Sequence, residues 1–146
     1  MLHVYEFEIF QEEGLFVALP FCFEGGTQGE TFEQACEMAA EWLQAECEQR
    51  ALHDEAFPPQ TFGNAPRNGG KTVIVAVNAG QETIAKVRAS RAAEMLGVTR
   101  GRVSQMVSAG LLDAWKEDGT VWVTRASVQA RLKDAPKPGR PKKTVA

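Results

Sequence analysis

The first sixty residues hold almost no positive charge: Arg50 is the single Lys or Arg among them, against thirteen Asp and Glu. Histidine is nearly as scarce, with only His3 and His53, neither beside a Cys or Ser in a nucleophile setting. Chemistry that runs on a histidine base or a His-ligated metal has little to draw on. The three cysteines, Cys22, Cys36 and Cys47, show no paired metal-ligand spacing, and an odd number argues against a secreted disulfide framework. On one helix, Cys36 and Cys47 would share a face but stand roughly 16 Å apart at 1.5 Å per residue, too far for a bridge. No apolar run approaches the ~20 residues of a membrane span, and the start, with Glu6 and Glu8 early, lacks a basic opening and an apolar signal stretch. The expectations are a reducing cytoplasm, no membrane, no cofactor, cysteines in the core and both histidines at the surface.

What the chain does have is charge sorted by position. Residues 1 to 60 carry −12 and residues 61 to 146, with fifteen Lys and Arg against six acids, carry +9, which together give the net −3. A pI near 5.5 therefore hides two surfaces of opposite sign, suited to different partners. A length of 146 residues allows one domain or two small ones.

From Leu2 the sequence alternates. Tyr5, Phe7 and Ile9 fall on one face and Glu6 and Glu8 on the other, as in a half-buried strand with solvated acids. After the break at QEEG, GLFVALPF resumes as a second strand, with Leu15, Val17 and Leu19 on one side, so the pair reads as an antiparallel hairpin ending at Pro20. The turn-rich GGTQGET run has room for a short strand, and Thr31 reads as a helix N-cap with Gln34 completing a capping box. The helix from Phe32 to about Leu52 is expected to bury Phe32, Cys36, Ala39, Leu43 and Cys47, with Trp42 at the edge of the stripe and Glu37, Glu41, Glu46 and Glu48 exposed. Residues 53 to 70 mix Pro, Gly and Asn and read as loop. KTVIVAVN, Lys71 to Asn78, then forms a β-branched strand, expected to be buried by the helix on one face and by a second copy of the chain on the other. Ala79 to Ser90 reads as a hinge or short helix.

The runs YEFEIFQEEGLFVALP and TQGETFEQACEMAAEWL resemble the HicB antitoxin family in its first two strands, turn, helix cap and helix start. Where that family often has Pro-Gly before the short third strand, this chain has Gly25 and Gly26 within FCFEGG. The resemblance implies a partial RNase H-like domain without catalytic carboxylates, which binds and covers a small basic RNA-cleaving toxin of the HicA type.

The second half is organised around RAAEMLGVTRGRVSQMVSAGLL, Arg91 to Leu112. Ala92, Leu96, Val98, Val103 and Met106 are spaced to close two short helices on each other, with Gly97 at the turn and Thr99 capping the second helix. That second helix would present Arg100, Arg102, Ser104 and Gln105, side chains able to reach phosphates and base edges. DAWKEDGTVWVT follows with hairpin spacing, Trp115, Val121 and Val123 alternating about Glu117 to Gly119, and SVQARL adds a last helix with Val128 and Leu132 on one side. In this order the segment resembles the excisionase and MerR-like winged helix-turn-helix family, which implies DNA binding.

The expected fold class is α+β: a small partial RNase H-like antiparallel sheet with one long helix over residues 1–80, then a mostly α winged helix-turn-helix over 81–134. Residues 135–146 are expected to be a disordered basic tail, and KPGRPKK within it, centred on Arg140, resembles an AT-hook for the minor groove. Duplex DNA is expected to meet Thr99, Arg100, Arg102, Ser104, Gln105, Lys116 and Arg140. A toxin is expected to meet Phe21, Phe23, Glu37, Glu41, Trp42 and Phe57, the acids steering it and the aromatics anchoring it. The function these imply is a non-enzymatic antitoxin that represses its own operon as a homodimer or higher homo-oligomer paired through KTVIVAVN. A free-standing regulator with a ligand-sensing front domain is the alternative. A nuclease using Glu6, Glu8, Glu30 and Glu33 on Mg²⁺ is a more distant one.

Overall fold

The computed structural model describes residues 1–134 as mixed α and β structure, with four α-helices and two antiparallel sheets. The chain divides into two compact units, Met1–Ile84 and the segment from Ala85 onward.

In the first unit, β1 (Leu2–Glu12) and β2 (Leu15–Pro20) form the expected hairpin, with Glu8 opposite Leu19 and Phe10 opposite Val17. β3 (Thr27–Gly29) pairs with β2, and β4 (Lys71–Asn78) with β1, giving the order β3-β2-β1-β4. The strand parity sends Tyr5, Phe7, Ile9, Ala18, Val75 and Val77 inward under α1 (Phe32–Leu52). The helix starts as its sequence dictates: the Thr31 hydroxyl accepts from the Gln34 N–H at 3.0 Å, and Gln34 Oε1 accepts in return from the Glu30 N–H, one residue before the cap. With no Gly or Pro in its 21 residues, it runs without a break and buries Ala35, Ala39, Leu43 and Cys47. Phe32 and Cys36, expected in that stripe, are only half-buried, and Ala35 takes the place instead. Small residues there bring the helix close to the sheet, and Gly29 is required by that approach: a Cβ on it would stand 2.6 Å from the Ala35 nitrogen.

The outer face of this sheet departs from expectation. Glu6 and Glu8 are not solvated but buried, 5% and 2% exposed, because the 53–70 segment folds across them and offers them its main-chain donors. Glu6 accepts from the N–H groups of Gly63 (3.2 Å) and Asn64 (2.9 Å) and from Asn64 Nδ2 (2.7 Å). Glu8 accepts from the N–H groups of Arg67 (2.9 Å), Asn68 (2.8 Å) and Gly70 (3.0 Å), and from Asn68 Nδ2 (3.1 Å). A loop without regular hydrogen bonds thus satisfies its backbone on two carboxylates. His3, expected at the surface, is also buried: its ring stacks on Phe57 at 4.5 Å and Nε2–H donates to the Ala79 carbonyl at 3.2 Å. His53 is exposed. Within the single chain β4 is covered on its helix side, where Val75 and Val77 are inside, whereas Ile74 is 63% exposed and Ala76 is exposed on the side expected to meet a second copy.

In the second unit the span read as hinge contains a 3-10 turn at Gln81–Thr83, which ends the first unit, and a short strand, β5 (Lys86–Arg88). β5 pairs with β7 (Thr120–Thr124), which pairs with β6 (Ala114–Glu117), so the hairpin belongs to a three-stranded sheet. Helices α2 (Ala89–Leu96), α3 (Arg100–Ser108) and α4 (Arg125–Lys133) pack on it around Val87, Ala92, Ala93, Val103, Met106, Leu112, Val123 and Val128. Two sequence expectations fail here. Trp115 lies opposite Trp122 and shares its face, not that of Val121 and Val123, and Leu132 is 45% exposed while Val128 alone anchors α4.

Candidate functional site

The α2–α3 corner has the local geometry its residues call for. Gly97 ends α2 in the left-handed region (φ 66°), a conformation that costs an L side chain roughly 1–2 kcal/mol. The Thr99 hydroxyl then caps α3 by accepting from the Arg102 N–H at 3.1 Å. Val103 and Met106 point into the core, leaving Arg100, Arg102, Ser104 and Gln105 exposed on the other sides of α3. Arg102 and Gln105 lie one turn apart, with Nη1 to Oε1 at 3.5 Å.

A cleft of about 560 Å³ runs between α3 and the β6–β7 hairpin. Arg100, Ser104 and Ser108 line it from the helix, Thr120 and Val121 from the hairpin, and Arg88 from the end of β5. The Arg100 guanidinium and the hydroxyls of Ser90, Ser104, Ser108 and Thr120 thus belong to residues lining one open groove, donor types that phosphate oxygens accept from. Arg88 was not among the residues singled out by sequence, since a three-residue strand leaves no period to read. Lys116 is exposed on β6, directly across from Val121, and so flanks the hairpin side of the groove. The hairpin tip is less accommodating: Asp118 and Gly119 make the turn at positive φ (49° and 77°), and the acids at 117 and 118 oppose close approach by phosphate. On the opposite face of this sheet, Lys86 lies over Trp122 (4.7 Å) and Trp115 (5.6 Å), with Arg88 also over Trp122 (5.7 Å). Arg140 and the KPGRPKK run lie outside the described residues.

The aromatics of the first unit are divided between core and rim. Phe23 is 9% exposed and packs edge-on against Tyr5 and Trp42, with Arg50 over its ring at 5.2 Å. Trp42 and Phe57 are half-buried and belong to the same cluster, Trp42 meeting Phe7 edge-on and Phe57 stacking on His3. Phe21 is half-buried under the Arg67 guanidinium. Glu37 and Glu41 are exposed one helical turn apart on α1.

The titratable groups inside this unit serve the fold. The Asn64 N–H and its side chain, with the Gly63 N–H, hold the Glu6 carboxyl below its ordinary range. Burial works to raise that of Glu8, but the N–H groups of Arg67, Gly70 and Asn68 outweigh it and leave it lowered as well. Both carboxylates are fully engaged by main-chain donors, and Glu33 is on α1, across the sheet from them. Among the described residues no three His, Cys, Asp or Glu gather where they could hold a metal ion, and no helix is long and apolar enough to cross a membrane. Burial pushes the Cys47 thiol up to about 11 and also raises that of Cys36, so neither is an activated nucleophile. Compared with family models, curated proteins and solved structures, the chain matches none of them.

Proposed function

We propose that this chain is a two-part antitoxin: a HicB-like front unit that captures a HicA-type RNA-cleaving toxin, and a winged helix-turn-helix that represses the operon encoding both. The observation that carries the reading is the pairing of opposite charge with different geometry. Up to Ile84 the chain holds fourteen acids against Arg50, Arg67 and Lys71, a net −11; from Ala85 it holds +8. The positive part presents Arg100 and a capped, exposed helix to one groove, with Arg88 at the groove's edge over Trp122. The negative part presents Glu37 and Glu41 on a long helix. An RNA-cleaving protein carries positive charge for its substrate, so an acidic captor is drawn to it and competes with RNA.

DNA recognition by a unit this small takes two copies on half-sites about one helical turn apart, so the DNA-bound species is proposed to be a homodimer. In the proposed complex α3 enters the major groove with Gln105 and Arg102 toward base edges, while Arg88 and Arg100 hold the backbone. The test has two arms on the full chain. Gel shifts on the DNA upstream of the gene measure repression, and co-expression with a HicA-type toxin measures rescue of growth. Arg100→Ala is expected to weaken the first and spare the second; Glu37→Lys with Glu41→Lys is expected to do the reverse. If both activities fall together in either folded variant, the division is wrong.

A further inference from the structure

The sheet of the second unit meets its helices through one face, with Val87, Ala114 and Val123, and turns Lys86, Arg88, Trp115 and Trp122 the other way. Strand register sets Arg88 opposite Trp122 and Trp122 opposite Trp115, so a guanidinium and two indoles form one row across three strands. Lys86, two residues before Arg88 on β5, lies over both rings, 4.7 Å from Trp122 and 5.6 Å from Trp115. Both indoles are half-buried, and β6, which carries Trp115, is an edge of the sheet among the described residues. Trp115 Nε1–H is shut off from solvent yet has no acceptor among those residues, and a donor left so is destabilising. Arg125, exposed at the start of α4, adds a third cation beside Lys86, its N–H donating to the Ala85 carbonyl at 2.9 Å. Glu117 is the acid of these strands on this face, and Lys86 pairs with it at 3.6 Å; Asp113 and Asp118 stand just outside β6, at its two ends.

We infer that this face is a second nucleic-acid site, separate from the groove beside α3. Its ligand is an unpaired strand whose bases stack on Trp122 and Trp115 while Lys86, Arg88 and Arg125 take its phosphates. Charge selects a polyanion: the chain from Ala85 onward carries +8, and on the face itself three cations stand against one carboxylate. The indoles select a single strand over a duplex. A duplex keeps its base faces stacked within itself and offers only backbone and groove edges, to which a row of indoles adds nothing. In the free chain the ring faces hold Lys86 and Arg88. A cation on a half-exposed ring is held less tightly than a stacked base, and a phosphate gives the displaced cation a stronger partner, so the exchange favours the strand. Trp115 Nε1–H is a ready donor to a base or phosphate oxygen in the same place. Stacking of this kind accepts any base, because every base has a π-face.

The inference stands apart from the antitoxin reading, and neither toxin nor operator enters its test. Labelled oligothymidine and oligouridine of about fifteen nucleotides are titrated with the full chain and followed by anisotropy and by indole fluorescence. Binding of at least one is expected, the comparison telling DNA from RNA, with quenched tryptophan emission and an affinity that falls as salt rises. Trp122→Ala is expected to weaken binding about tenfold and Trp122→Phe no more than about threefold, with the far-ultraviolet circular dichroism spectrum unchanged. Trp115→Ala repeats the measurement should Trp122→Ala fail to fold. Arg100→Ala, on α3, is expected to leave oligonucleotide affinity within about twofold, since that side chain serves the other site. A wild-type chain that binds neither oligonucleotide overturns the inference and leaves the face to a protein partner. So does binding that the folded tryptophan-to-alanine variant retains in full, or binding that Arg100→Ala weakens as much as that variant does.

Discussion

The two units solve the same problem, a small core, in opposite ways. The first encloses polar groups: Glu6, Glu8 and His3 are all buried, each with a hydrogen-bonding partner from another part of the chain. Among its described residues the second encloses almost none; Thr124 is the one buried polar residue, and the described arginines and lysines stand at or near the surface. Buried carboxylates make the first unit specific about where its long loop lies, and they tie its integrity to pH. The second keeps its charge at the surface among the described residues.

The largest expected effect tests the core of the first unit alone. Leu43→Ala, at a position with no exposure, is expected to cost about 2–5 kcal/mol, read by native-state hydrogen exchange as lost protection in α1 and β1 while α3 amides keep theirs. Equal loss in both units would end the comparison. Acid gives the next contrast. The Glu6 and Glu8 pKa values are lowered in the folded chain, so the stability these groups add is complete above the unfolded carboxylate range near 4.5. It is lost as pH falls through the lower folded values. Exchange of the 63–70 amides is expected to accelerate below about pH 4.5, and Glu8→Gln is expected to accelerate it already at neutral pH. A loop whose protection ignores both changes would show that the carboxylates do not hold it.

The smaller effects belong to the second unit. Gly97→Ala puts a Cβ at φ 66° with open space around it, so only backbone strain acts, about 1 kcal/mol, and the loss should be confined to α2 and α3. Trp122→Ala removes the ring beneath Lys86 and Arg88. Its expected cost is on the order of 0.5–1 kcal/mol per cation beyond the lost packing, measured by denaturant titration with Trp122→Phe as the milder control.

What could be read from residues alone follows the same divide. β1, β2, α1 and the α2–α3 corner were legible because each is announced by a period or a cap: alternation through Tyr5, Phe7 and Ile9, Thr31 before a helix, Gly97 and Thr99 at a corner. β5 was not, since three residues carry no period and its existence depends on pairing with β7 from more than thirty positions away. The burial of Glu6 and Glu8 was hidden for a related reason. Their partners are mainly backbone N–H groups, which every residue but proline possesses, so no sequence pattern marks them. KTVIVAVN was read as covered by the helix on one face and by a second copy on the other; within one chain the helix side is covered, by burial of Val75 and Val77, and the outer side carries the exposed Ile74 and Ala76. Among the site residues, Arg100, Arg102, Ser104 and Gln105 are exposed on α3 as expected, whereas Phe23 and Phe57 mainly pack the first unit, and Arg88 joined the groove unannounced.

The central claim is that duplex DNA is met by the second unit through α3 and its groove, with no help from the acidic unit. Fluorescence anisotropy of the full chain on its upstream duplex, titrated at several salt concentrations, tests it most directly. The account predicts that Arg100→Ala weakens binding about tenfold and flattens the salt dependence by about one counterion, while Glu37→Gln with Glu41→Gln leaves affinity unchanged or slightly raised. Binding that is indifferent to Arg100 and lost with the two glutamates would contradict it.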